Sequence, residues 1–524
     1  MKSFIQFLAC FLLLCFVVSK GGQAQTGQKK SLDKANYVSL TGKALPKGNP
    51  VESDGNIHKF NSSVLHLIRT KSKSPQGTIL LMPGGGYEIL KTKNEGEKAA
   101  RFLNAQNFDV AILEYHIIPG NGSMARNLAV LDALQAFRLL KTNQKAFGLR
   151  GDCMDIMGIS SGGHLAARTV QKLGEKEQPD DLILISPTYL NETAKGTVFP
   201  SVMPPVKPTA RLFAAFSAND KKEWITSCQE YSKIWKGYDG NAVFNLMNDS
   251  VYAGDKDINP LDSKFELTGL LKSFLKSKHE VLVSGPNPAA IPVEGYARER
   301  HFEKLKLVAK EKYDLIMIGN SITNNLERPE YQAVWNQFFA PRKALNLGTS
   351  GYRTENLIWN IQNGELEGQS PKVIILEIGT NNVDEKNYPT RHTAGQLAGG
   401  IETIVKLLRE KLPDTKIIVL RCFPGCYGGP NPTSHRVILE RASDIVSKLA
   451  DGKHVFYCDV NHVFLNMDGS INHDMLGDWL HPTPAGAKAW AQAMEPLLSE
   501  LMGDKSLDRD IPANTALVPV SKLE

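Results

Sequence analysis

Ser321 ends an apolar run, Tyr313-Asp314-Leu315-Ile316-Met317-Ile318, and sits in the small polar turn Gly319-Asn320-Ser321-Ile322-Thr323. A serine hydroxyl attacks a carbonyl carbon only when a base takes its proton and fixed donors receive the charge of the tetrahedral intermediate. Residues of those types follow in chain order. Gly351 lies in Gly348-Thr349-Ser350-Gly351-Tyr352, after the apolar Ala344-Leu345-Asn346-Leu347, and Asn381 follows the run Val373-Ile374-Ile375-Leu376-Glu377-Ile378. Asp478 stands three residues before His481 on a turn bounded by Pro482. Together they read as a relay in which His481 takes the Ser321 proton and Asp478 fixes the imidazole tautomer. The backbone N–H groups of Ser321 and Gly351 and the Asn381 amide would receive the oxyanion. Each piece alone is an ordinary turn residue, cap or surface side chain. The signal is four blocks in one order, three of them after buried-strand patterns.

A second serine has a better-known pattern. Ser160 lies in Gly158-Ile159-Ser160-Ser161-Gly162-Gly163, a GxSxG match between an apolar run and a helical pattern. Small flanking residues permit the sharp strand-to-helix turn that exposes the hydroxyl, and the helix start favours negative charge. Upstream, Pro83-Gly84-Gly85-Gly86-Tyr87 could free the N–H groups of Gly85 and Gly86 for an oxyanion hole.

Elements of two kinds must position these residues. Thr78 to Met82, Val110 to Leu113, Met154 to Met157, Leu182 to Ile185 and Leu212 to Phe216 are short apolar runs suited to strands buried on both faces. Helical patterns such as Met124 to Lys141 and His164 to Leu173 alternate with them, which predicts an α/β fold with a doubly wound parallel sheet. Prolines and small residues over Ser284 to Pro292 interrupt both periodicities. Strands and helices then alternate again without copying the first half. A length of 524 residues agrees with two domains, and 42% apolar and 22% charged residues exclude disordered, collagenous and multi-spanning classes. A net charge of +6 is too small for its length to suggest a nucleic-acid partner.

Through the GxSxG and Pro83 to Tyr87 motifs, roughly residues 55 to 278 resemble the α/β-hydrolase superfamily, in particular its carbohydrate acetylesterase and feruloyl-esterase-like members. The resemblance implies an acid after the next-to-last strand, Asp220 in Ser217-Ala218-Asn219-Asp220, and a histidine after the last, near Ala242 to Met247. The sequence departs there: no histidine occurs between His164 and His279. Ser160, Ser161, Gly85, Gly86 and Asp220 therefore form a second, degenerate site, for which His116 is a substitute base or an ordinary packing residue. Residues 310 to 503 resemble the SGNH (GDSL-type) hydrolases, nearest to platelet-activating-factor-acetylhydrolase-like esterases, through the blocks around Ser321, Gly351, Asn381, Asp478 and His481. This implies a flavodoxin-like three-layer α/β/α domain, ester hydrolysis without metal or other cofactor, and the roles assigned above. Asn320 departs from the family's usual aspartate, but asparagine can brace the same turn.

The first residues, Met1-Lys2-Ser3, an apolar run from Phe4 to Val18 and Gly22-Gln23-Ala24, read as a secretory signal over 1–24, giving a secreted or periplasmic product without stable membrane insertion. Its removal leaves five cysteines, an odd number, of which Cys422 and Cys426 could bridge or simply be small apolar residues. The expected organisation is a hydrolase-like domain over 25–280, a linker over 281–297, an SGNH domain over 298–505 and a tail over 506–524. The expected activity is removal of O-acetyl groups from carbohydrate, an acetylated oligo- or polysaccharide being the partner. The rival readings are two active esterase domains, a lipid acetylhydrolase, and a glycan-binding protein without turnover. The oligomeric state has no signal.

Overall fold

A computed structural model describes residues 32–191, 201–248, 259–277, 286–425, 429 and 433–508. The signal over 1–24, Cys426, the loop after residue 248 and the tail from 509 lie outside them. The first half is one nine-stranded sheet. Its strands are β1 (Tyr37–Ser39), β2 (Ala44–Leu45), β3 (Val64–Ile68), β4 (Gly77–Met82), β5 (Phe108–Glu114), β6 (Cys153–Ile159), β7 (Asp181–Ile185), β8 (Arg211–Ser217) and β9 (Ala242–Met247), in the order β2-β1-β3-β5-β4-β6-β7-β8-β9. Strands β4, β5 and β7 are buried along their whole length, as apolar runs predict for a sheet covered on both faces. The cover comes from α1 (Ala99–Ala105), α2 (Gly122–Asn143), α3 (Ser161–Lys172), α4 (Lys222–Gly237) and α5 (Glu266–Lys276).

The sheet is mixed, where a wholly parallel one was expected. β3 runs antiparallel to β5, and β1 antiparallel to β3 and β2. These edge strands lack the long apolar runs of the central ones. They are two to five residues long, and β3 carries a half-buried His66 in mid-strand, so their pairing depends on partners distant in sequence.

The second half is a five-stranded sheet, wholly parallel, with β10 (Leu315–Gly319), β11 (Ala344–Asn346), β12 (Val373–Glu377), β13 (Lys416–Leu420) and β14 (Val455–Cys458) in the order β11-β10-β12-β13-β14. Helices α6 (Arg298–Lys310), α7 (Thr354–Gln362), α8 (Ala394–Lys411), α9 (Ser434–Val446) and α10 (Pro484–Met502) follow in chain order. Alternate residues of β12 enter opposite layers: Ile374 and Leu376 join one cluster with Leu397 and Ile401, whereas Val373 and Ile375 join another with Trp490 and Met494. This is the three-layer arrangement implied by the resemblance.

The segment expected to be a linker is not loose where it is described. Ala289 is fully buried and its carbonyl accepts the Thr354 hydroxyl at 2.7 Å. Asn287 Nδ2 donates to the Gln396 carbonyl at 2.8 Å, and Val293 N–H to that of Glu355 at 3.0 Å. Residues 287–297 thus pack as part of the second domain. The prolines that break periodicity also fix φ, which suits a docked turn as well as a spacer.

Candidate active site

Ser321, Gly351 and Asn381 follow β10, β11 and β12, three adjacent parallel strands whose C-terminal ends open one crevice at the point where strand order reverses. With Asp478 and His481 they line a cleft of about 720 Å³. Asn320 caps the turn: its Oδ1 accepts the Ile322 N–H at 2.8 Å, a bond asparagine and aspartate make equally. Ser321 Oγ lies 2.8 Å from His481 Nε2, and His481 Nδ1 lies 2.6 Å from Asp478 Oδ2. A carboxylate only accepts, so the neutral imidazole carries its proton on Nδ1 and presents Nε2 as acceptor to the serine hydroxyl.

The acid–base turn is built locally. Trp479 adopts a left-handed φ of 66°, which folds the chain so that Asp478 Oδ1 accepts the N–H groups of Leu480 at 3.0 Å and His481 at 2.6 Å. Partial burial of Asp478 disfavours its charge, but the His481 ring and these backbone N–H groups outweigh it and hold the carboxyl below its usual range.

Gly351 has φ 74°, and among the described residues its N–H makes no hydrogen bond. Two tyrosines fix its turn. Tyr296 donates its hydroxyl to the Ser350 carbonyl at 2.6 Å, and Tyr388 donates to the Gly351 carbonyl. Asn381 Nδ2 donates one hydrogen to the Tyr352 carbonyl at 2.9 Å, leaving its second amide hydrogen for a ligand. Sequence reasoning had not singled out Tyr296 or Tyr388, since a tyrosine in a loop has no local signature. Tyr352, next in the chain after Gly351, is 1% exposed and packs against Tyr296.

The rest of the wall mixes polar side chains, among them Asn325, Arg328, Glu330, Asp384 and Asn387, with the rings of Tyr331, Tyr388, Pro482 and Pro484. Glu377, at the end of β12 in register with Gly319, is 1% exposed, and among the described residues neither of its carboxyl oxygens has a partner. Burial pushes this carboxyl up to about 8.

The first sheet presents a different picture. Ser160, between β6 and α3, has φ 54° and ψ −123°, the strained turn its motif requires. Of the groups expected around it, Gly86, Ser161 and Asp220 are engaged in bonds of their own. Gly86 N–H donates to Ser161 Oγ at 2.9 Å, so this oxyanion donor is already satisfied. Asp220 Oδ2 accepts the Ser186 hydroxyl at 2.7 Å and the Ser217 N–H at 3.1 Å. His116 Nδ1 pairs with Asp132 Oδ2 at 2.6 Å while its ring packs at a tilt against Phe60, and His164 Nδ1 lies 2.7 Å from the Tyr87 hydroxyl. The hydrogen-bond partners of the His116 ring are thus Asp132 and Ser63. Cys153, Cys228, Cys422 and Cys458 are free thiols.

Comparison with known proteins agrees with both halves. A model described as "alpha/beta hydrolase fold" matches residues 79–204, and one described as "GDSL-like Lipase/Acylhydrolase family" matches residues 317–489. The protein is a two-domain carboxylic ester hydrolase. Platelet-activating factor acetylhydrolase IB subunit alpha1 of Pongo abelii is 32% identical over 190 residues, 36% of this chain and 77% of that protein. Subunit alpha2 of Rattus norvegicus is 34% identical over 226 residues, 41% of this chain and 92% of that protein. Through its second half the chain belongs to the GDSL-like lipase/acylhydrolase family. Among solved structures, an acetyl ester-xyloside bifunctional hydrolase from Caldicellulosiruptor lactoaceticus is similar at 19% identity and a TM-score of 0.35, covering 45% of this chain and 94% of that one.

Proposed function

We propose that this esterase removes O-acetyl groups from carbohydrate through an acyl-Ser321 intermediate, as a secreted or periplasmic protein. His481 Nε2 takes the hydroxyl proton as Ser321 Oγ attacks the acetyl carbonyl carbon. The oxyanion is received by the N–H groups of Ser321 and Gly351 and by the Asn381 amide. His481 then passes the proton to the departing sugar oxygen, and a water activated by the same imidazole releases acetate. The observation that supports the substrate class is the set of hydrogen-bonding side chains in the wall, Asn325, Arg328, Glu330, Asp384 and Asn387, set beside the rings of Tyr331 and Tyr388, a mixture that suits the hydroxyls and faces of a sugar.

The names of the relatives favour a second reading, an acetyl ester carried by a phospholipid. Both readings share acetyl as the acyl group and differ in what bears it. Acetate release from acetylated xylan and from platelet-activating factor separates them, with the Ser321→Ala variant as control. Release from xylan abolished by that substitution is the expected result. Turnover of the lipid alone overturns the carbohydrate reading, and full activity of Ser321→Ala overturns the assigned nucleophile.

A further inference from the structure

Loop 384–393 is both a wall of the Ser321 cleft and the place where the first domain grips the second. Asp384, Asn387 and Tyr388 line the cleft. Between them Glu385 Oε1 accepts from Lys233 Nζ of α4 at 2.6 Å, while its Oε2 accepts from Arg391 Nη1 at 3.2 Å. Lys233 is also 3.1 Å from Glu230. At the loop's far end Thr393 caps α8, and Asp239, two residues past α4 with φ 66°, accepts the Thr393 hydroxyl and, at 3.2 Å, the Gly395 N–H. Glu230 Oε2 accepts the Ser434 N–H at the start of α9, 3.3 Å away. Gly237 lets the surfaces close, since a Cβ there would lie 2.2 Å from Ile438 Cδ1. One helix of the first domain and the turn after it thus hold a loop and two helix starts of the second, negative side chains facing the positive ends of the helix dipoles.

The grip reaches the reacting centre in one further step. Tyr388, three residues beyond Glu385, donates its hydroxyl to the Gly351 carbonyl. Its ring lies 5.1 Å under the Arg353 guanidinium, and Arg353 Nη2 is 2.8 Å from His392 Nδ1. His392 N–H donates to the Asn382 carbonyl at 2.8 Å.

We propose that the first domain serves as a positioning platform for the Ser321 site: Lys233 and Asp239 hold loop 384–393, and through Tyr388 they orient the turn that aims the Gly351 N–H. The inference rests on Gly351 being an oxyanion donor, and it gives the first domain a task that needs no proton relay at Ser160. An exposed ion pair contributes little alone, so the two anchors are best removed together.

The test is the full chain carrying Lys233→Met with Asp239→Ala, assayed with 4-nitrophenyl acetate, whose small size makes few demands on the wall. Because small displacements of a reacting geometry cost rate steeply, kcat should fall about tenfold with KM within about twofold of the parent. Tyr388→Phe should lower kcat similarly, and adding the double substitution to it should lower kcat little further, since both act through one contact. Lys233→Arg with Asp239→Glu should restore most of the rate. Unchanged kcat in the double variant, or losses that multiply with that of Tyr388→Phe, overturns the platform. Ser321→Ala run alongside separates the two readings: activity there sinks the site assignment itself, whereas a silent Ser321→Ala beside an unaffected double variant sinks only the platform.

Discussion

Asp220 accepts the Ser186 hydroxyl 2.7 Å away, on the edge of the first sheet where an imidazole would be needed to connect it with Ser160. A serine hydroxyl cannot carry a proton from Ser160 and return it to a leaving group as imidazole does, so the acid is braced but not coupled. The two serine turns differ in partners, since Ser321 Oγ has the His481 Nε2 at 2.8 Å.

A fluorophosphonate probe should therefore label one serine, and peptide mapping should find it at Ser321. Ser160→Ala and Asp220→Asn should leave aryl acetate turnover within about twofold of the parent. Ser321→Ala should lose a factor of about 10⁴ or more. Two modified peptides would show both sites to be reactive.

Asn381→Ala should lower kcat by about 10² to 10³ with little change in KM, the loss expected for one oxyanion donor. Gly351→Ala should be severe for a different reason. Its φ of 74° disfavours a side chain, and a Cβ there would stand 2.7 Å from the Tyr296 hydroxyl. Steady-state kinetics on both variants, with circular dichroism to exclude unfolding, reads this out.

Glu377 should make the second domain less stable as pH rises. Its carboxyl titrates near 4.5 when unfolded and at about 8 when folded, so in that window the folded state binds more protons than the unfolded one. Stability present below pH 4.5 is then lost progressively up to about pH 8, with a limiting slope of about 1.4 kcal/mol per pH unit from this group. Glu377→Gln should flatten that slope. Denaturant titrations at pH 5, 6.5 and 8, monitored through the second domain's transition, compare the two proteins directly.

Arg342 supplies a stability test away from the cleft. It is almost fully buried, pairs with both oxygens of Glu495 at 2.7 Å and reaches Asp504 at 2.8 Å. Arg342→Met should destabilise the second domain by about 3 to 5 kcal/mol, because Glu495 would remain as an uncompensated buried charge. The double variant with Glu495→Gln should recover part of that loss, a comparison made by chemical denaturation.

The placement of Ser321, Gly351, Asn381, Asp478 and His481 around one cleft was legible because each sits where a strong local pattern ends. Buried parallel strands read as apolar runs, and their C-terminal ends are where an α/β sheet opens. What escaped depends on tertiary neighbours. Strand β3 has its register from β5, more than forty residues away in the chain, and Tyr296 and Tyr388 acquire meaning only once the Gly351 turn lies between them. The proline-rich stretch before residue 297 read as a spacer because composition reports broken periodicity but not docking. In the first domain the missing histidine was plain from sequence, whereas the bonds that Gly86 and Asp220 make in the meantime were not.

The Tyr296 hydrogen bond bears on how the halves can be separated. A gene cut just before codon 298, at the border that composition suggests, would discard the hydroxyl that ties down Ser350, and with it Ala289 and Asn287, which fasten that strand of chain to α7 and α8. A self-sufficient second half would have to begin ahead of Asn287. Even then the cap of α8 would lose Asp239, so neither half is a freely exchangeable module and recombination between them has only a narrow window of workable crossover points.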